Sequence, residues 1–235
     1  MTVGNRSSAV MQQRNPALDA FDDFPTPMWA TRAVCEWLAG AGHDLADAVV
    51  REPCANRGYM VAALEEVAGS VLATDIFDYG AGFAVRDYLF GPVPSMVDWT
   101  FINPPFVVAA EFIDRARRSS RRGVAVFCRS AFTEGAARFR DLFDETPPAV
   151  ILQFTERVVI HQGKMRRPGE RYWDPAANDG EGKWRNASSA TAYCWMIWLP
   201  EDERRGLCRS GFDWIGPCRE RLERPGDYEW RGDAA

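Results

Sequence analysis

Long apolar runs are missing from this 235-residue chain. No stretch approaches the roughly 18 consecutive apolar residues that a membrane-spanning helix requires. Residues 1–14 are polar and carry no apolar core of the kind found in a secretory leader. A cytoplasmic protein without a membrane partner is therefore expected. Lysine is almost absent: Lys164 and Lys183 are the only two among 28 basic residues. The remaining positive charge is arginine, whose planar fork suits bidentate contacts to phosphates and bases, although codon composition accounts for the bias more simply. Histidine is scarce, with His43 and His161 far apart, and the six cysteines include no Cys-x-x-Cys pair. Neither a metal centre nor a disulfide framework is expected. Cys128 and Cys194 fall inside apolar runs and read as core. A net charge of −5 argues against general coating of nucleic acid, so the distribution of charge matters more than its total.

What the chain does contain is enough apolar sequence, 46%, to build a sizeable core. Its patterning alternates short apolar runs with helical periods up to about residue 145, which implies βαβ units and a parallel sheet. Strands are expected at 48–50, 71–74, 99–102, 124–128, 150–154 and 192–199. Helices are expected at 29–39, 59–67 and 106–118. Residues 1–20 read as a flexible arm, 21–200 as the main domain and 201–235 as an extension packed on it. Between 162 and 187 the pattern breaks into a long polar loop rich in Gly, Pro, Asn and Arg. Loops of that length are commonly functional or disordered. The flanking segments 157–160 and 192–195 are expected to form a hairpin that carries it.

Chemistry concentrates where strands end. Asn103-Pro104-Pro105-Phe106 follows the apolar run Trp99-Thr100-Phe101-Ile102, and open α/β sheets bind ligands at such ends. The prolines fix the backbone and remove two donors while leaving carbonyl acceptors. An acceptor pair beside the Phe106 ring suits a planar heterocycle with an exocyclic amine. Upstream, Glu52-Pro53-Cys54-Ala55-Asn56-Arg57-Gly58 runs from a strand through a tight turn into a helix. Glu52 is placed to hold a cationic amine, and Asn56 stands where glycine is usual but tolerates a left-handed backbone. Asp75, before Ile76, ends the next strand, where an acid commonly bonds both hydroxyls of a ribose. Asp87 is placed either to face an amine or simply to occupy a turn.

Together these motifs resemble the class I S-adenosylmethionine-dependent methyltransferases, and more closely the N6-adenine methyltransferases of DNA. The likeness rests on an acidic-Pro turn ending in glycine (Glu52-Pro53 through Gly58), the ribose acid Asp75, and Asn-Pro-Pro-Phe. It also rests on Phe24-Pro25-Thr26-Pro27 before the first helix, with the cofactor motif preceding the catalytic one as in the gamma arrangement. The resemblance implies a Rossmann-like fold: a mostly parallel seven-stranded sheet flanked by helices, with a terminal antiparallel hairpin. It implies S-adenosylmethionine bound by Thr26, Pro27, Glu52, Pro53, Cys54, Gly58, Asp75, Ile76, Asp87 and Asn103. It implies duplex DNA as partner, with an adenine flipped out of the stack. Asn103 and the Pro104 carbonyl would accept hydrogen bonds from N6, freeing its lone pair for in-line attack on the sulfonium methyl, while Phe106 stacks on the base. Methylation of an RNA base or a protein amide, and a silent cofactor-binding module, are the alternatives. Cys54 sits in the cofactor turn and is read as packing, not as a nucleophile. Within the long loop, Lys164, Arg166, Arg167, Arg185 and Trp184 are the candidate substrate contacts, because basic residues among aromatics suit phosphate contact and base stacking.

Overall fold

The computed structural model describes residues 23–200 and 210–229. The flexible arm expected at 1–20 lies outside the described residues. Ten strands and five α-helices follow in chain order: α1 (Met28–Gly40), β1 (Val49–Glu52), α2 (Tyr59–Glu65), β2 (Ser70–Asp75), β3 (Ala84–Val85), β4 (Val97–Ile102), α3 (Ala109–Arg117), β5 (Ser120–Arg129), α4 (Ala136–Arg138), β6 (Val150–Phe154), β7 (Arg171–Asp174), β8 (Lys183–Asn186), β9 (Tyr193–Trp198), β10 (Gly211–Ile215) and α5 (Arg219–Leu222). Eight of the strands form one sheet in the order β10-β6-β9-β5-β4-β1-β2-β3. All neighbours are parallel except β9, which is antiparallel to β5 on one side and to β6 on the other. This is the mostly parallel, helix-flanked architecture that the alternation of strand and helix patterns implies.

The strand sequences explain why both faces are covered. In β4, Trp99 and Phe101 point to one side and Ile102 to the other. In β5, Ala125 and Phe127 oppose Val124, Val126 and Cys128. In β9, Trp195 and Ile197 oppose Cys194, Met196 and Trp198. A strand apolar at every position must be buried on both faces. One face packs against α1, α2 and α5, with Trp29, Trp99 and Trp195 inside. The other packs against α3 through Phe112 and Ile113. Trp195 adds a polar tie, its Nε1–H donating to the Ala30 carbonyl at 3.0 Å.

Three details differ from expectation. The sheet has eight strands where seven were expected: the short β3 pairs with β2, and β10, which follows Trp198, pairs in parallel with β6. Residues 157–160 form no strand; β9 already has β5 and β6 on its two edges, so no edge is left for them. The separate antiparallel hairpin lies instead inside the loop, as β7 and β8. The helix expected at 106–118 opens with a 3-10 turn at Phe106–Val108 before α3 begins.

Gly123 in β5 is required by packing. A Cβ there would lie 2.6 Å from Trp99 Cη2 and 2.8 Å from the Trp198 carbonyl oxygen. Gly123→Ala should therefore destabilise the fold by about 1–3 kcal/mol through overpacking. Urea denaturation checks this; a midpoint equal to that of the wild type would show that the Trp99 ring can yield.

Candidate functional site

The chain runs outward in one direction from β1 to β2 and β3, then returns and runs the other way through β4 and β5. The gap beyond the C-terminal ends of β1 and β4 is thus a topological switch point, where open α/β sheets bind ligands. A cavity of about 420 Å³ lies there. It is lined by Phe24, Pro25 and Thr26 before α1, by Pro53 to Asn56 after β1, and by Asp75 and Ile76 at the end of β2. Asp87, Tyr88 and Leu89 close it from the β3–β4 loop, and Asn103 and Pro105 from the end of β4. Tyr59, Met60, Tyr79, Val108 and Phe112 complete its largely apolar wall.

The turn after β1 is held by its own polar groups. Asn56 adopts φ 49° and Gly58 φ 82°, so both take left-handed backbone. A Cβ on Gly58 would come within 2.9 Å of the Phe83 ring. The Asn56 backbone N–H donates to Asp75 Oδ2 at 2.8 Å, and the Phe77 N–H donates to Asp75 Oδ1 at 3.0 Å. Asp75 is thereby fixed between two backbone donors with its carboxylate at the cavity. Burial raises its pKa, against the pull of these donors. The Asn56 side-chain amide and the Arg57 guanidinium both donate to Asp23. The Asp23 carbonyl in turn accepts the Gly163 N–H at 2.8 Å, which ties the long loop to this turn.

Glu52 is placed differently from expectation. It is fully buried and is not part of the cavity wall. Its Oε1 accepts the Cys54 N–H at 3.0 Å, and its Oε2 has no hydrogen-bond partner. Burial, followed by the nearby Asp75 charge, holds its pKa well above the ordinary carboxylate range. The carboxyl thus orders the turn from behind it.

At the end of β4, the Asn103 side-chain NH2 donates to the Phe24 carbonyl and to Thr26 Oγ1, each at 3.0 Å. A carbonyl oxygen can only accept, so the amide orientation is fixed by chemistry. Asn103 lines the cavity, and its Oδ1 is left as an acceptor. Pro104 is buried, and Phe106 is half-buried outside the cavity wall, packed with the cluster beneath α3. Pro27 caps α1 behind Thr26. The loop carrying Asp87 is fastened by two buried arginines. Arg115 donates to the carbonyls of Phe90, Gly91 and Pro92, and Arg51 to that of Ser95.

Of the residues singled out for a cofactor, Thr26, Pro53, Cys54, Asp75, Ile76, Asp87 and Asn103 meet at one cavity, while Pro27, Glu52 and Gly58 support it from behind or beside it. The aromatic wall of Tyr59, Tyr79, Tyr88 and Phe112 carried no signal beyond composition. The loop residues Lys164, Arg166, Arg167, Trp184 and Arg185 do not line the cavity. Arg166 meets Glu170, Arg167 meets Glu223 and Arg185 meets Asp174. Lys164 and Trp184 are exposed, and Trp184 packs edge-on against Trp173. Among the described residues no cluster of His, Cys, Asp and Glu is arranged to hold a metal ion, and no helix is long and apolar enough to cross a membrane.

No protein-family model and no curated protein sequence matches the chain. Solved structures do. A type I restriction-modification methyltransferase subunit from Streptococcus thermophilus superposes with a TM-score of 0.53 at 10% identity, covering 90% of this chain and 51% of that one. A dimethyladenosine transferase from Plasmodium falciparum gives 0.42 at 12%, covering 73% and 62%. A tRNA methyltransferase from Aquifex aeolicus gives 0.41 at 12%, covering 72% and 69%. The superposition on the Streptococcus subunit shows a shared Rossmann-like fold, and the chain spans about half the length of that subunit.

The buried Glu52 carboxyl makes a stability prediction. Its folded pKa lies above its unfolded value of about 4.3. Its contribution is therefore greatest below pH 4 and declines as pH rises through the folded pKa. Glu52→Gln removes the ionisation. It should raise the melting temperature at neutral and alkaline pH by a few degrees, about 1 kcal/mol corresponding to ~2–4 °C for a domain of this size. The gain should shrink toward pH 4. Melting curves across pH check this; a variant less stable than wild type at pH 8 would contradict it.

Proposed function

We propose that this chain binds S-adenosylmethionine in the switch-point cavity and transfers its methyl group to the N6 amine of adenine in DNA. The observation that carries the proposal is the orientation of Asn103. With its NH2 spent on Phe24 and Thr26, its Oδ1 is a fixed acceptor beside a cavity with two carboxylates and an aromatic wall. The cavity fits the cofactor in size and chemistry. Its volume lies within the ~300–1,000 Å³ usual for small-molecule sites. Asp75 offers a ribose acceptor, Asp87 an acceptor for the adenine amine, and the tyrosines apolar faces.

Bound there, S-adenosylmethionine supplies an electrophilic methyl group. The chain's residues act on the other reactant. An aromatic amine is a weak nucleophile because its lone pair is delocalised into the ring. Asn103 Oδ1 and the Pro104 carbonyl accept its two N–H groups and favour a pyramidal nitrogen with an available lone pair. These acceptors are preorganised, so they cost no reorganisation during reaction. Phe106 offers a face to the extruded base. The hairpin loop, with Lys164, Arg166, Arg167, Arg185 and Trp184, lies on the substrate side in this reading, its arginines exchanging carboxylate partners for phosphates.

Asp75→Ala should weaken cofactor binding by roughly 1.5–3 kcal/mol per lost charge-assisted bond, while Asn103→Ala should abolish turnover on adenine-containing DNA with cofactor affinity nearly unchanged. Calorimetry with the cofactor and labelled methyl transfer to DNA, RNA and protein test both the site and the substrate class. Robust turnover by the Asn103 variant would refute the mechanism.

Thr26 is a positioning residue in this scheme. Thr26→Val keeps shape but removes the acceptor that holds the Asn103 amide. It should lower kcat on the order of tenfold to a hundredfold and leave cofactor affinity little changed. Thr26→Ser should restore the rate. Equal kcat in the valine variant would show that the Phe24 carbonyl alone suffices.

A further inference from the structure

Arg129 closes β5 at the same edge of the sheet from which Asn103 to Phe106 leave β4. Its guanidinium carbon lies 5.1 Å from the centroid of the Phe106 ring. Its Nε is buried and has no hydrogen-bond partner. Among the described residues no carboxylate pairs with Arg129. The loop arginines are different: Arg166, Arg167 and Arg185 each meet an acid. The buried Arg115 also leaves its Nε unmet, but its Nη2 donates to three backbone carbonyls. The buried Nε of Arg129 is closed to an incoming acceptor, but the two Nη groups at the tip of this half-buried side chain are not buried and have no partner among the described residues. Its flat fork fits an oxyanion with two acceptor atoms better than a single carbonyl.

We propose that Arg129 is the anion contact on the substrate side of the site. It binds a backbone phosphate adjacent to the nucleotide whose base enters, while its plane remains on Phe106. The inference rests on the nucleic-acid reading of the site and adds a residue to it. One side chain would then couple two events. Phosphate capture fixes the guanidinium, and the guanidinium fixes the ring of the motif that receives the base.

The test compares wild type, Arg129→Met and Arg129→Lys by fluorescence anisotropy with a labelled adenine-containing DNA duplex over a range of salt concentration. Loss of one phosphate contact should flatten the slope of log affinity against log salt by about 0.9 for the duplex. The methionine variant, which retains a packing partner for Phe106, should show this loss together with weaker binding. The lysine variant should keep the slope and lose part of the affinity. Cofactor affinity should be the same in all three. Should the methionine variant fail to fold, Arg129→Gln is read in the same way. A methionine or glutamine variant with the wild-type slope and affinity overturns the assignment while leaving the methyltransferase reading intact. A wild type that binds no oligonucleotide overturns both.

Discussion

A single buried guanidinium, that of Arg32, holds together the parts on which the site is built. It lies on α1 and donates to Glu66 after α2, to Asp227 and to the Leu222 carbonyl of α5. Burial opposes its charge, but the two carboxylates outweigh that opposition and keep it protonated. Such a cluster contributes little net stability compared with an apolar substitute, yet removing one partner strands a charge and costs several kcal/mol. Its value here is positional. Fixing α1 fixes the segment that precedes it, and that segment holds the Asn103 amide through the Phe24 carbonyl and Thr26.

The site thus joins two halves through hydrogen bonds that cross the chain. Asn56 N–H to Asp75 links the turn after β1 to the end of β2. Asn103 links the end of β4 to the start of the domain. Each bond uses a group that the backbone or side chain must satisfy in any case, because buried polar groups cannot go unpaired cheaply. Glu52 Oε2 is an exception close to the cavity.

Much of this was legible because strand ends are legible. Apolar runs marked β1, β2 and β4, and the polar residues that follow each run had to fall at one edge of a parallel sheet. That places Glu52, Asp75 and Asn103 together without knowledge of their contacts. What was not legible depends on long-range packing. The pairing of Asn103 with Phe24 spans 79 positions. The aromatic wall comes from elements with no shared motif. The retreat of Glu52 behind its turn is a matter of a few ångströms. Two of the loop arginines meet acids of the same loop, but the sequence does not reveal that Glu223, 56 positions away, meets Arg167. Strand β10 was hidden because Gly211–Ile215 alternates apolar and polar residues weakly and its Phe212 and Trp214 stay exposed.

The place of β9 in the sheet has a consequence for how the molecule is made. Strands β5 and β6 are successive in the sheet's sequence but not neighbours in space; the slot between them belongs to β9, formed by Tyr193–Trp198. A nascent chain that has emerged only as far as the long loop therefore has a sheet divided in two, with the unpaired backbone edges of β5 and β6 facing an empty lane. Closing that lane requires contacts distant along the chain, which form slowly. During synthesis the exposed strand edges are a hazard for association with other chains. The two halves of the sheet become one body only when the last all-apolar strand slides between them.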